Sequence, residues 1–126
     1  MNDWKPAQYP SVSPYLVSKD AEGLIRFLTG IFDASVTRRI DRPDGSVIHA
    51  EVRIDDSIVM IGGSATDHVP TPAHIHVYVR DAAALYERAL KKGARSVQAP
   101  ARKHHGDDLR AGFADTDGNA WWVANQ

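Results

Sequence analysis

Residues 79–85, VRDAAAL, repeat residues 18–24, SKDAEGL, with Asp81 falling on Asp20 at an offset of 61. The same offset puts Ala82 on Ala21, Leu85 on Leu24, Ser96 on Ser35 and Val97 on Val36. Further along it pairs Gly106 with Gly45, Ala111 with Ala50 and Asp117 with Asp56. One offset held without gaps across most of both halves reads as an internal duplication.

Each copy carries the same order of elements. In the first, SVSPYLVS (11–18) reads as a strand, and Asp20 caps a helix with Leu24, Ile25, Phe27, Leu28 and Ile31 on one apolar face. Strands follow at ASVTRRI (34–40), SVIHAEVRI (46–54) and IVMIGG (58–63), with turns at 43–45 and 55–57. The second copy gives AHIHVYV (73–79), then a helix after Asp81 bearing Leu85, Tyr86, Ala89 and Leu90 and closed by Gly93. ARSVQAP (94–100), LRAGFAD (109–115), a turn at Asp117-Gly118 and NAWWVAN (119–125) complete it. The expectation is an α+β chain forming one domain over 1–126. Module one spans about 11–62, a linker about 63–72, and module two about 73–125, each module β-α-β-β-β. A sheet with one helix has one uncovered face, so two modules should pair, within a chain or between chains, into a curved mixed sheet around a cavity.

Composition narrows the function classes. With 43% hydrophobic and 25% charged residues the chain reads as globular, and 15 basic against 16 acidic residues leave no footprint for nucleic acid or an anionic membrane. Zero cysteines exclude disulfides, a cysteine nucleophile and thiolate metal sites. No apolar run approaches a membrane span, and MNDWKPAQYP lacks the apolar core of a signal peptide, so a cytoplasmic location is expected.

Strand alternation nominates the cavity residues. In HIHVYVR, His74, His76, Tyr78 and Arg80 share one face and Ile75, Val77 and Val79 the other. In VIHAEVRI, His49, Glu51 and Arg53 oppose Ile48, Ala50, Val52 and Ile54. Trp121 and Trp122 alternate, one for the core and the other for stacking in the pocket. The offset matches His74 with Ser13, His76 with Tyr15, Arg110 with His49 and Trp122 with Ile61. His104-His105 lies in a polar loop, read as solvated or as a cavity lid, and His68 in the linker reads as exposed.

SVSPYLVSKDAEGLIRFL, GSVIHAEVRIDDSIVMIGG, HIHVYVRD and DTDGNAWWVAN resemble the vicinal-oxygen-chelate superfamily, and within it the PhnB-like branch of glyoxalase/bleomycin-resistance-type proteins. The resemblance covers about residues 11–126. It implies a fold shared by metal enzymes and by proteins that sequester drugs without catalysis. Metal-dependent members draw four inward ligands from the first and last strands of each module, positions that fall on or near Ser13, Ile61, His74 and Trp122. Only His74 is a competent ligand, so a metal held in that family manner is not expected. In the resembling branch an aromatic-Gly-Asp motif sits where this chain has His105-Gly106-Asp107.

Two functions follow. The first is a homodimeric binding protein for a small organic molecule, without cofactor. Tyr15, Tyr78 and Trp122 would provide area; His49, Glu51, His74, His76 and Arg110 would orient the ligand. The second is a lyase, isomerase or dioxygenase-type enzyme acting on a small oxygenated substrate, with Glu51 or His49 moving the proton. There a divalent metal would use the rearranged set His49, Glu51, His74 and His76, although His74 and His76 stand about 7 Å apart along their strand. Otherwise Glu51 pairs with Arg53 or Arg110.

Overall fold

The computed structural model describes residues 4–64 and 70–126. The chain divides into two compact units, Met1–Val69 and Pro70–Gln126. Each is a four-stranded mixed sheet with one helix, the expected β-α-β-β-β order. Residues 65–69 of the linker expected at 63–72, His68 among them, lie outside the described residues.

In the first unit β1 (Tyr15–Ser18), α1 (Ala21–Ile31), β2 (Ala34–Asp41), β3 (Val47–Ile54) and β4 (Ser57–Gly63) give the sheet order β1-β4-β3-β2. β1 lies parallel to β4, and the other pairings are antiparallel. The first strand begins later than expected, at Tyr15, because Pro10 and Pro14 lack the N–H that a ladder needs. Asp20 caps α1 by accepting from the Gly23 amide at 2.9 Å. Ala21, Leu24, Ile25, Leu28 and Ile31 are buried against the sheet. Full burial of Leu28 or Ile31 is worth about 1.5–3 kcal/mol each. Phe27, expected on that face, is only half-buried; Phe32 just beyond the helix is buried instead.

Ile48 is a correction. Alternation puts it inward with Ala50, Val52 and Ile54, yet it is 43% exposed while Val47 is buried. The ladder explains this: Ile40 pairs with His49 and Asp41 with Val47, leaving Ile48 as the extra residue of a bulge. A bulge resets which side chains face the core, and here it turns Val47 in and Ile48 out.

In the second unit β5 (His74–Tyr78), α2 (Ala82–Lys91), β6 (Arg95–Ala101), β7 (Leu109–Ala114) and β8 (Ala120–Asn125) give the matching order β5-β8-β7-β6. Asp81 caps α2 through the Ala84 amide at 3.0 Å, and Gly93 leaves the helix at φ +100°, a conformation that favours glycine. Ala82, Leu85, Tyr86 and Ala89 are buried, with Leu90 half-buried. The turn from β7 to β8 is organised by Asp115, whose carboxylate accepts from the Asp117 and Asn119 amides, Asn119 Nδ2 and Trp121 Nε1.

This turn breaks the uniform repeat. Ala50 pairs with Ile61 and Ala111 with Val123, so the offset is 61 on β3 and β7 but 62 on β4 and β8. One extra residue has entered the 115–119 turn. The structural counterpart of Trp122 is therefore Met60, not Ile61; Ile61 is fully buried in the core. No helix among the described residues is long and apolar enough to cross a membrane.

Candidate functional site

In the second unit the face of the sheet opposite α2 gathers the candidate side chains. Ile75 is buried, while His74, His76 and Tyr78 alternate outward and are exposed. Across the parallel ladder His76 pairs with Trp122, and Trp121 turns inward to full burial. The Trp122 ring lies flat on the sheet because its neighbour on β7 is Gly112: a Cβ there would come within 2.7 Å of the indole. Gly112→Ala is therefore expected to lift the indole off the sheet and break its contact with His74 while the unit stays folded. The Trp122 indole N–H resonance in an NMR spectrum checks this, and an unmoved resonance would contradict the packing.

Trp122 donates Nε1–H to His74 Nδ1 at 3.0 Å, and the two rings are nearly parallel, 16° between planes. Arg110 donates Nε–H to His76 Nε2 at 3.3 Å, and its Nη2 lies 3.5 Å from Asp108. Tyr78 donates its hydroxyl to Asp108 at 2.8 Å and meets the His76 ring edge-on. Burial, helped by the Arg110 charge and opposed by Asp108, lowers the pKa of His76; the bond to Asp108 raises that of Tyr78. Beside this array a cavity of about 280 Å³ opens between the β6–β7 loop (Lys103, His104, Asp107, Asp108) and the sheet residues Arg110 and Trp122. Its volume stands just under the roughly 300–1,000 Å³ typical of small-molecule pockets. Both loop histidines are exposed, and His104 lines the cavity.

The first unit uses its open face differently. Glu51 is 97% buried, with 3% exposed, although it lies on the polar face of β3. Its Oε1 accepts from the Tyr9 hydroxyl and its Oε2 from His49 Nε2 at 2.7 Å. The cover is the N-terminal segment, held further by Arg53 Nη1 donating to the Gln8 carbonyl at 3.1 Å. Burial pushes the Glu51 pKa up, but Tyr9, His49 and Arg38 together outweigh it and hold the carboxyl below its usual range. The same bond to Glu51 raises the Tyr9 pKa. Glu51 thus bonds Tyr9 and His49 and not Arg53, its neighbour two residues along β3. Tyr15 packs over Gly62 with its ring centroid 5.8 Å from that of His49.

A metal test can be made on these donors. The four family positions, in corrected register, are Ser13, Met60, His74 and Trp122, and only His74 is a common divalent-metal ligand. The rearranged set fares no better as arranged: His74 Nδ1 and His76 Nε2 are occupied by N–H donors, so each remaining ring nitrogen carries the hydrogen. Both Glu51 oxygens are engaged, leaving His49 Nδ1 as the one free imidazole lone pair of the set. Among the described residues no group of three His, Asp or Glu side chains is placed to hold a metal ion.

Within the second unit the structure brings His74, His76, Tyr78, Arg110 and Trp122 together; within the first it joins His49 and Glu51, with Tyr15 alongside. Tyr9, Asp108 and Gly112 were not foreseen. A glycine in the strand beside a tryptophan strand is a sequence signal for Gly112, since it marks a place where a ring lies against the backbone. Tyr9 has no such signal.

The chain's residues 11–123 match the model of the Glyoxalase/Bleomycin resistance protein/Dioxygenase superfamily. The uncharacterized protein Rv0887c of Mycobacterium tuberculosis is 40% identical over 123 residues, covering 89% of this chain and 72% of that protein. Among solved structures, TioX from Micromonospora sp. ML1 superposes with a TM-score of 0.74 at 19% identity, covering 91% of this chain and 98% of TioX. The fosfomycin resistance protein FosX from Mesorhizobium loti gives 0.68 at 22% identity, covering 93% and 92%. At these identities the structural likenesses establish the fold alone.

Proposed function

Since the chain belongs to the Glyoxalase/Bleomycin resistance protein/Dioxygenase superfamily, we propose that it is a cytoplasmic, homodimeric binding protein of the PhnB-like branch. It holds a small organic molecule on the open face of its second sheet, without a metal. One observation carries this reading: the flat indole of Trp122 lies over Gly112 beside a cavity edged by Arg110. A stacking surface next to a few oriented polar groups is what a small-molecule site needs, and it requires no reaction. Metal analysis of freshly purified, unchelated protein beside His74→Ala is the test. Substoichiometric metal in both is expected; one metal per chain, lost in His74→Ala, would overturn the reading. A sedimentation-equilibrium mass of a single chain would remove the dimer from it.

A second reading, an enzyme that moves a proton, is favoured by His49. Glu51 fixes its Nε2 as the N–H, so Nδ1 keeps the lone pair of a base, the way a carboxylate orients an imidazole in acid–base catalysis. Exchange of the carbon-bound protons of hydroxyacetone for solvent deuterium, present in the wild type and absent in Glu51→Gln, would favour it. No exchange above the buffer rate would remove it.

A further inference from the structure

In their neutral form the two histidines of β5 are each held in one tautomer by partners that can only donate. An indole N–H and a guanidinium N–H have no acceptor lone pair, so His74 Nδ1 and His76 Nε2 must accept. Each neutral ring then presents its other nitrogen, His74 Nε2 and His76 Nδ1, as an N–H donor. Neither of these atoms has a partner among the described residues, and both side chains are exposed. Arg110 and Trp122 connect the two features, since each edges the cavity and each donates to one of the histidines.

We infer that this face selects its ligand by hydrogen-bond acceptors: it takes a planar aromatic molecule bearing a carbonyl or carboxylate, stacked on Trp122 with its oxygen toward the imidazole N–H groups. This rests on the binding reading above and names the ligand class. The formal charges around the cavity balance, Lys103 and Arg110 against Asp107 and Asp108, so discrimination comes from where donors are placed rather than from net field. Asp108 Oδ2 already accepts from Tyr78 and lies 3.5 Å from Arg110, so that oxygen is committed within the protein. A ligand carrying an ammonium in place of the carbonyl would set N–H against N–H and leave both sides unpaired.

The test uses three probes with one ring system: 2-naphthoate, 2-acetonaphthone and 2-naphthylmethylammonium, titrated calorimetrically into the wild-type protein. Naphthoate and acetonaphthone are expected to bind, with the ammonium at least about tenfold weaker, the scale of one lost hydrogen bond. His74→Phe and His76→Phe, which keep a ring and remove the N–H, are expected to narrow that gap. Equal binding of all three probes, or preference for the ammonium, overturns acceptor selection and leaves the binding reading standing. Binding by none of them overturns both.

Discussion

Replacing Trp121 by alanine is expected to lower the free energy of unfolding by about 3–5 kcal/mol, whereas the same change at Trp122 costs about 1 kcal/mol or less. The two residues are adjacent in sequence and opposite in environment. Trp121 is fully buried in the second unit, and its Nε1–H bonds Asp115, the residue that organises the β7–β8 turn. Its loss empties an indole-sized volume and removes one of that carboxylate's donors. Trp122 lies half-buried on the open face, where its removal frees His74 Nδ1 to bond water instead. Urea denaturation with an unchanged m-value measures the stability difference. In the same pair, binding of 2-acetonaphthone is expected to fall about tenfold in Trp122→Ala, from loss of stacking. Equal destabilisation by the two substitutions would mean that the division of the strand into core and site faces is wrong.

At Glu51, alanine and glutamine are expected to part company. Glu51→Ala leaves the Tyr9 hydroxyl and the His49 N–H without their acceptor and is expected to cost about 1–3 kcal/mol. Glu51→Gln can accept from Tyr9 through its amide oxygen and donate its N–H to His49 Nε2. The fold is kept, but the imidazole hydrogen moves to Nδ1. Nitrogen-15 chemical shifts of the His49 ring distinguish the tautomers, and an unchanged pattern in Glu51→Gln would contradict the arrangement. The carboxylate also makes a pH prediction. Its folded pKa lies below the unfolded value of 4.5, so its contribution is complete above that value and is lost as the pH falls through the folded pKa. Wild-type stability should fall over that acid range more steeply than that of Glu51→Gln. Parallel acid profiles would show that Glu51 gains nothing from Tyr9 and His49.

The duplication decided the architecture from sequence alone. Asp20 and Asp81 sit before helices at one offset, and a capping aspartate followed by an apolar face is a local signal that needs no knowledge of distant residues. The polar faces of β3 and β5 were legible for the same reason, since period-two alternation is fixed by backbone geometry. It failed where the backbone departs from regular pleating. The Ile48 bulge and the extra residue at 115–119 each shift the register by one, and neither insertion changes composition or pattern nearby.

What tertiary structure alone decided is which nitrogen of each histidine is free. The sequence supplied His49, His74 and His76 as equals, three imidazoles on polar strand faces. Their partners separated them: the Glu51 carboxylate, two residues along β3 and itself held by Tyr9 from 42 residues away, accepts from His49, while donors from β7 and β8 bond His76 and His74. An imidazole beside an acceptor keeps a lone pair outward, and one beside a donor turns an N–H outward. Residue type sets the capacity for either role, and the hydrogen-bond partner that the fold brings within reach selects between them.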